Sequence, residues 1–368
     1  MITIAGARAN GWTLMSGRWR WRIAVVAVAL SGLIPDSSAS PASAGACAGC
    51  WVRQHPSASP VGRYGAAAAY DPAHHYVLVF GGMNPAPLDD TWVWTRDSWI
   101  QLHPPNSPPP RGYAGLAWDG NELILFGGNT RYGSRDDLSD TWAWTGLTWK
   151  RLRPRHHPAP RITSMGWSGR NIVLFGGDGN GPGYGGDFGD TWIWTGTDWR
   201  KLTLNAAPAA RTRALIQYVP SLHGAFLTGG VGSVADADSW LFTANKWRQL
   251  QPQCHDSPPS VHGGISLNQG QPLIYVPYYG YYNGKRDIEL TNATFHWNGA
   301  TWVQDRQPSV RPSQRSDPVM VYDQSTDQSL LFGGVDHSGQ ALGDTWIFQG
   351  DPVAAATTGH HCPTANAY

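Results

Sequence analysis

The chain has 368 residues, with 27 Lys and Arg against 26 Asp and Glu, and is rich in Gly (44), Pro (28) and Trp (20). A hydrophobic share of 41% with 12% aromatics excludes a disordered chain, and a net charge of +1 supplies no electrostatic footprint for nucleic acid or anionic lipid. Only two glutamates exist, Glu122 and Glu289, so long amphipathic helices, which draw on Glu and Lys for their wet faces, are excluded as well.

The first segment reads as an address. Arg18, Arg20 and Arg22 precede an apolar run over 23–34, and small residues lead to Ala42-Ser43-Ala44 or Ala44-Gly45-Ala46. A basic start, a short apolar centre and an Ala-x-Ala exit make a secretory signal peptide. Twelve apolar residues fall short of the about 20 that a spanning helix needs. The sequence therefore predicts a leader over 1–46, no stable membrane span, and a secreted, periplasmic or cell-surface protein.

Beyond the leader the chain repeats. Asp-Thr-Trp occurs at Asp90-Thr91-Trp92, Asp140-Thr141-Trp142, Asp190-Thr191-Trp192 and Asp344-Thr345-Trp346, with Asp238-Ser239-Trp240 as a variant. A second Trp follows seven residues after the first, at Trp99, Trp149, Trp199 and Trp247; Trp302 continues the series and puts Phe295 in the first slot of a further copy. A Gly pair closes an apolar run in five units, as at Gly81-Gly82, and an Arg opens each of them: Arg63, Arg111, Arg161, Arg211 and Arg315. Six units of about 50 residues result, since 140 − 90 and 190 − 140 are both 50.

Within unit one the predicted strands cover 64–70, 76–80, 91–94 and 99–102, punctuated by Asp71-Pro72 and by the Gly pair. Four short antiparallel strands cannot bury both faces alone, but six such sheets packed around an axis can. After Trp346 the sixth unit has no fourth strand, only a tail over 351–368. Trp51-Val52-Arg53-Gln54-His55-Pro56 resembles Trp99-Ile100-Gln101-Leu102-His103-Pro104, and 63 − 51 equals 111 − 99. The segment around Trp51 is thus expected to supply the missing outer strand and close a monomeric ring over 47–350, leaving no open sheet edge at the seam.

The apolar strand, the Gly pair and two aromatics at set spacing resemble the kelch repeat, over residues 51–349. The resemblance implies an all-β, six-bladed kelch-type β-propeller. Kelch-type propellers include the galactose oxidase central domain, bacterial sialic acid epimerases, plant specifier proteins and protein-binding adaptors, so it leaves the activity open.

Residues present in nearly every unit are assigned to the scaffold: the five Arg openers, the Gly pairs, the Trp slots, and Asp90, Asp140, Asp190, Asp238 and Asp344. Unit five has Ala293 in the Asp slot and Val261 or His262 in the Arg slot, so the joint loss suggests that Arg and Asp pair elsewhere. Function is sought in the loops between second and third strands, which are long in units two, three and five. Loops 129–139, 178–189 and 281–292 carry Arg131, Tyr132, Arg135, Tyr184, Asp187, Tyr281, Tyr282, Lys285, Arg286, Asp287 and Glu289, and His262 joins this rim. Tyr, Arg and Asp in loops suit a protein or glycan ligand. The leading expectation is a non-catalytic binding module without cofactor or metal and without nucleic-acid binding; the alternative is a carbohydrate-active enzyme, epimerase-like or galactose oxidase-like, on the same rim. A charged cluster lining one pocket on this rim, with Asp287 or Glu289 facing Arg286, would favour the enzyme, and a broad Tyr-rich surface the binding module. The types for a copper site occur at Cys254, His255, His262 and the unit-five tyrosines without a spacing that joins them, and Asp178-Gly179-Asn180-Gly181 begins like a calcium loop but lacks the later ligands. In an exported chain the four cysteines favour disulfides, with Cys362 expected to bond Cys47 or Cys50 and Cys254 left for a second bridge.

Overall fold

The computed structural model describes residues 49–131, 136–179, 186–232, 238–250, 262–279, 289–305 and 308–350. Six four-stranded antiparallel sheets form the blades of a propeller, labelled one to six with strands a to d from the axis outward. Blade one consists of Ala67–Asp71, Tyr76–Phe80, Thr91–Thr95 and Ser98–Leu102, and blade two of Gly115–Trp118, Leu123–Phe126, Thr141–Trp144 and Trp149–Leu152. Blade three has Ile162–Trp167, Ile172–Asp178, Asp187–Trp194 and Trp199–Leu202; blade four has Leu215–Val219, Gly224–Thr228, Ser239–Thr243 and Lys246–Leu250. Blade five has Gly264–Asn268, Gln271–Tyr279, Glu289–Trp297 and Trp302–Gln304. Blade six takes Val319–Asp323, Gln328–Phe332 and Thr345–Gln349 from the end of the chain and Cys50–Gln54 from its beginning, with Trp51 opposite Phe348. Each innermost strand packs on both of its neighbours, so the ring closes.

The d-strand Trp explains why the blades stack. Its indole Nε1 donates to the c-strand hydroxyl of the preceding blade at every joint: Trp149 to Thr91, Trp199 to Thr141, Trp247 to Thr191, Trp302 to Ser239, Trp51 to Thr294 and Trp99 to Thr345, all at 2.9–3.3 Å. Its ring meets an aromatic of the neighbouring b strand edge-on or tilted, as Trp149 meets Phe80 at 5.2 Å and Trp99 meets Phe332 at 4.9 Å. A buried indole thus fills the wedge while its one polar atom is satisfied. The joint made by Trp51 is chemically the same as the other five.

A second device ties each blade together at its b–c end. In blades one to four and in blade six the opener Arg is fully buried and grips the Asp two residues before the c-strand Trp through both nitrogens, with Nη1–Oδ1 distances of 2.5–2.6 Å. The same guanidinium donates to the carbonyl of the first Gly of the pair, and the Asp accepts a further bond from the adjacent indole, as Trp142 Nε1 gives to Asp140 at 2.7 Å. Burial would raise the Asp140 carboxyl, but Arg111 and Trp142 outweigh it and hold the group below the usual carboxylate range. Both glycines of each pair lie at positive φ; a Cβ on Gly81 would sit 2.5 Å from the carbonyl oxygen of Arg111 in the next blade.

Two expectations are corrected. The first strand of blade one begins at Ala67, because Gly65 at φ 60° breaks it, and Tyr64 makes only an isolated bridge to Met83. Asp187 and Glu289 stand in strands rather than loops: past a register shift the b and c strands of blades three and five pair on, with Asp178 opposite Asp187 and Tyr279 opposite Glu289. No described cysteine carries a free thiol; Cys47, Cys254 and Cys362 lie outside the described residues. Among the described residues no helix is long and apolar enough to cross a membrane.

Candidate functional site

The residue two positions after each opener Arg occupies the mouth of the axis. Gly65, Tyr113, Thr163, Arg213 and Asp317 hold this position in blades one, two, three, four and six. Backbone bonds link the position from blade to blade: Tyr113 N–H to Gly65 O, Thr163 N–H to Tyr113 O, Gly65 N–H to Asp317 O and Asp317 N–H to His262 O, at 2.7–3.3 Å. His262 is therefore the sixth member of this ring. It does not fill the Arg slot, which falls two residues earlier at Ser260, outside the described residues.

All but Thr163 adopt left-handed backbone: φ is 60° at Gly65, 56° at Tyr113, 55° at Arg213, 60° at His262 and 52° at Asp317. Only the first is glycine. Each of the other four carries strain on the order of 1 kcal/mol or more, held in place by the closed ring around it. Gly65 makes room for its neighbour, since a Cβ there would lie 2.7 Å from Cε1 of the Tyr113 ring.

Four of these side chains converge. Arg213 Nη1 lies 3.0 and 3.2 Å from the two Asp317 carboxylate oxygens. Tyr113 donates its hydroxyl to Asp317 Oδ2 at 3.2 Å, and its ring lies 4.7 Å beneath the Arg213 guanidinium, a cation–π contact. His262 Nδ1 sits 3.2 Å from Asp317 Oδ1 and also meets Arg213 Nη1. Burial would raise the Asp317 carboxyl, but Arg213, His262 and Tyr113 hold it below the usual range, so it stays an anion. The cluster lines a cavity of about 150 Å³ together with Ala114, Thr163 and Ser164. Side-chain exposure falls from 26% at His262 to 14% at Arg213 and 12% at Asp317, so the imidazole is the most accessible of the three.

The Nδ1 of His262 is placed between a group that can only donate and one that can only accept. With its proton on Nδ1 the ring donates to Asp317 and leaves Nε2 as an acceptor. With its proton on Nε2 it accepts from Arg213 through Nδ1 and offers a donor at Nε2. Among the described residues Nε2 has no partner, so either form presents one working atom to a ligand.

Of the predicted rim residues, His262 belongs to this cluster. Arg131 is exposed just beyond Asn129, which bridges both Gly112 and Asp137 at the base of loop two. Asp187 is half-buried; burial and then Asp178 raise its carboxyl, and burial with Asp178 and Asp136 pushes Asp137 up to about 6. Tyr132, Arg135, Tyr184, Tyr281, Tyr282, Lys285, Arg286 and Asp287 lie outside the described residues, as do Asn180 and His255. Among the described residues no group of three or more His, Cys, Asp or Glu is placed to hold a metal ion. Tyr113, Arg213 and Asp317 were not singled out by sequence reasoning. The signal that finds them is the column two after the Arg, which reads Gly, Tyr, Thr, Arg, His, Asp, a different residue in every unit.

No protein-family model matches the sequence, and no curated protein is similar to it. A solved structure does share the fold: that of YjhT superposes with a TM-score of 0.60 at 16% identity, over 79% of this chain and 96% of that one. The chain is a six-bladed β-propeller. In this ring the scaffold positions repeat and the funnel positions do not, which separates the two classes of residue without reference to any relative.

Proposed function

We propose that this kelch-type propeller is a carbohydrate-active protein that takes a ligand of about one sugar ring into the funnel and moves a proton on it through His262. The carrying observation is the convergence of Tyr113, Arg213, His262 and Asp317, from four different blades, on one cavity. A charged cluster in one pocket is the feature that favours catalysis over a broad adhesive surface. The cavity of about 150 Å³ is smaller than the roughly 300–1,000 Å³ of pockets for drug-sized ligands, which suits a small polar molecule. Tyr113 offers a flat face for the apolar side of a sugar, and Arg213 and Asp317 orient hydroxyls.

In the proton-transfer step, His262 with its proton on Nδ1 accepts a second proton from the substrate at Nε2. The imidazolium so formed is stabilised by the anionic Asp317, and the proton returns to the same or a neighbouring substrate atom, restoring the ring. No co-reactant is needed.

The test is ligand-observed NMR with neutral, amino and acidic monosaccharides, followed by isomer exchange or solvent-deuterium uptake on any binder. Binding by the wild type, loss of turnover by about 10²-fold or more in His262→Ala, and a comparable loss in Asp317→Asn are expected. Binding without any exchange would return the protein to the non-catalytic module. Binding that ignores Arg213→Ala and Tyr113→Ala would remove the funnel from the reading altogether.

A further inference from the structure

The outer wall of blade two is more basic than those of blades one and six. From Lys150 to His157 the chain reads Lys-Arg-Leu-Arg-Pro-Arg-His-His, and all but Leu152 and Pro154 are exposed. The equivalent stretch after Trp99 has no Lys or Arg, and the one after Trp51 has only Arg53. Lysines on an edge strand commonly serve to repel other strands. Blade one shows that this fold does not require them: Ile100 on its outer strand is 48% exposed, with no cation beside it.

The row is also steered onto the next blade. His156 is fixed to the turn before the blade-three outer strand by two bonds to Asp198, from its backbone N–H to Oδ1 and from Nδ1 to Oδ2, both 2.8 Å. Two residues later come Arg200 and Lys201, both exposed. The cations therefore form one track across blades two and three. Nearby acids are few and mostly occupied. Asp198 holds His156, Asp140 belongs to Arg111, Asp190 belongs to Arg161 with Lys201 at 3.6 Å, and Glu122 lies near Lys150. Arg153, Arg155 and Arg200 have no ion-pair partner among the described residues.

We propose that this track binds a linear anionic glycan, a uronate-type polymer, independently of the funnel. The outer strand ends at Leu152, so Lys150 and Arg151 stand on its edge and Arg153 and Arg155 follow at once in the linker, a continuous basic run along one side of the blade. A narrow basic run suits a chain of carboxylates better than it suits a flat lipid surface, and Leu147, 81% exposed before the run begins, is a solitary apolar side chain. Single-stranded nucleic acid would call for exposed rings on which bases stack, whereas Trp149 and Trp199 are both 1% exposed.

The experiment measures binding of the full chain to polygalacturonate, neutral dextran, phosphatidylglycerol vesicles and single-stranded DNA by calorimetry or biolayer interferometry. Polygalacturonate is expected to bind, neutral dextran not to bind, and affinity to fall by about tenfold or more between low salt and about 0.5 M. The combined variant Lys150→Gln, Arg151→Gln, Arg153→Gln and Arg155→Gln should lose about tenfold or more, while His262→Ala binds the polymer as the wild type does. Should the combined variant fold poorly, Arg153→Gln with Arg155→Gln, which breaks no contact among the described residues, is expected to lose a few-fold. Unchanged binding in either variant, or tighter binding of vesicles or DNA than of polygalacturonate, would overturn the proposal.

Discussion

Blades two and five are built on the same four strands, yet they make their buried polar pairs from different positions. Blade two places Arg111 and Asp140 beside the b–c loop and fills the matching outer positions with Ala143 and Leu152. Blade five has Ala293 where the Asp would stand, and in the slots of Ala143 and Leu152 it carries His296 and Asp305, 2.6 Å apart and 8% and 5% exposed. The two pairs are not equivalent. Asp140 is met by both Arg111 nitrogens and by Trp142. Among the described residues Asp305 Oδ2 has no partner, and Asp305 lines a cavity of about 10 Å³ with Trp51, Asn292, Thr294 and Arg311; burial raises its carboxyl despite His296. A buried ion pair stabilises only when every atom is satisfied, and the comparison sets a satisfied pair against a half-satisfied one.

The largest expected effect is on the satisfied pair. Arg111→Ala leaves Asp140 buried without its cation and should cost about 3–5 kcal/mol in chemical denaturation; a variant as stable as the wild type would strip the Arg opener of its scaffold role. Trp51→Ala removes the indole from the seam between blades five and six together with its bond to Thr294, at an expected cost of about 3–5 kcal/mol. Loss of blade-six hydrogen-exchange protection ahead of the other blades would locate that damage. In blade five, Asp305→Leu alone strands His296 and should cost about 1–3 kcal/mol. Adding His296→Val restores the pattern of blades one to four, and the double variant should equal or exceed the wild type by about 1–4 kcal/mol. A double variant worse than either single one would mean that the pair has a task beyond packing.

The smallest effect is electrostatic. Asp137 has a folded pKa pushed up to about 6, above its ordinary value of 3.8, so the folded state holds its proton more tightly than the unfolded one. Its contribution is fully present below the ordinary value and is lost as pH rises through about 6. Asp137→Asn should therefore gain about 1 kcal/mol or less at neutral pH, given solvent screening, and nothing near pH 4. A gain that persists in acid would assign the effect to packing.

The architecture was legible because it is written six times. Asp-Thr-Trp, the Gly pair and the Trp seven residues on set the blade period, and the shared spacing from Trp51 to Arg63 and from Trp99 to Arg111 placed the closing strand. The candidate site was hidden for the same reason. A position that differs in every copy leaves no repeating mark, so Tyr113, Arg213 and Asp317 passed unnoticed while the constant Arg two residues earlier stood out. His262 was noticed as a break in the pattern, but only the hydrogen-bonded ring gives its register. The basic track was masked by averaging: a net charge of +1 over the whole chain conceals a run from Lys150 to Arg155 that neither blade one nor blade six matches.

Six like bonds from indole to hydroxyl run head to tail around the axis, and none of them marks a beginning. Mechanically, the covalent break in blade six is one interruption among six interchangeable ones. A gene rearranged to start at the linker before Arg111, with residue 350 tied to residue 49 by a short spacer, should rebuild the same closed circle. The working cavity would survive the move, because its geometry belongs to the hoop and not to the order in which the hoop is threaded.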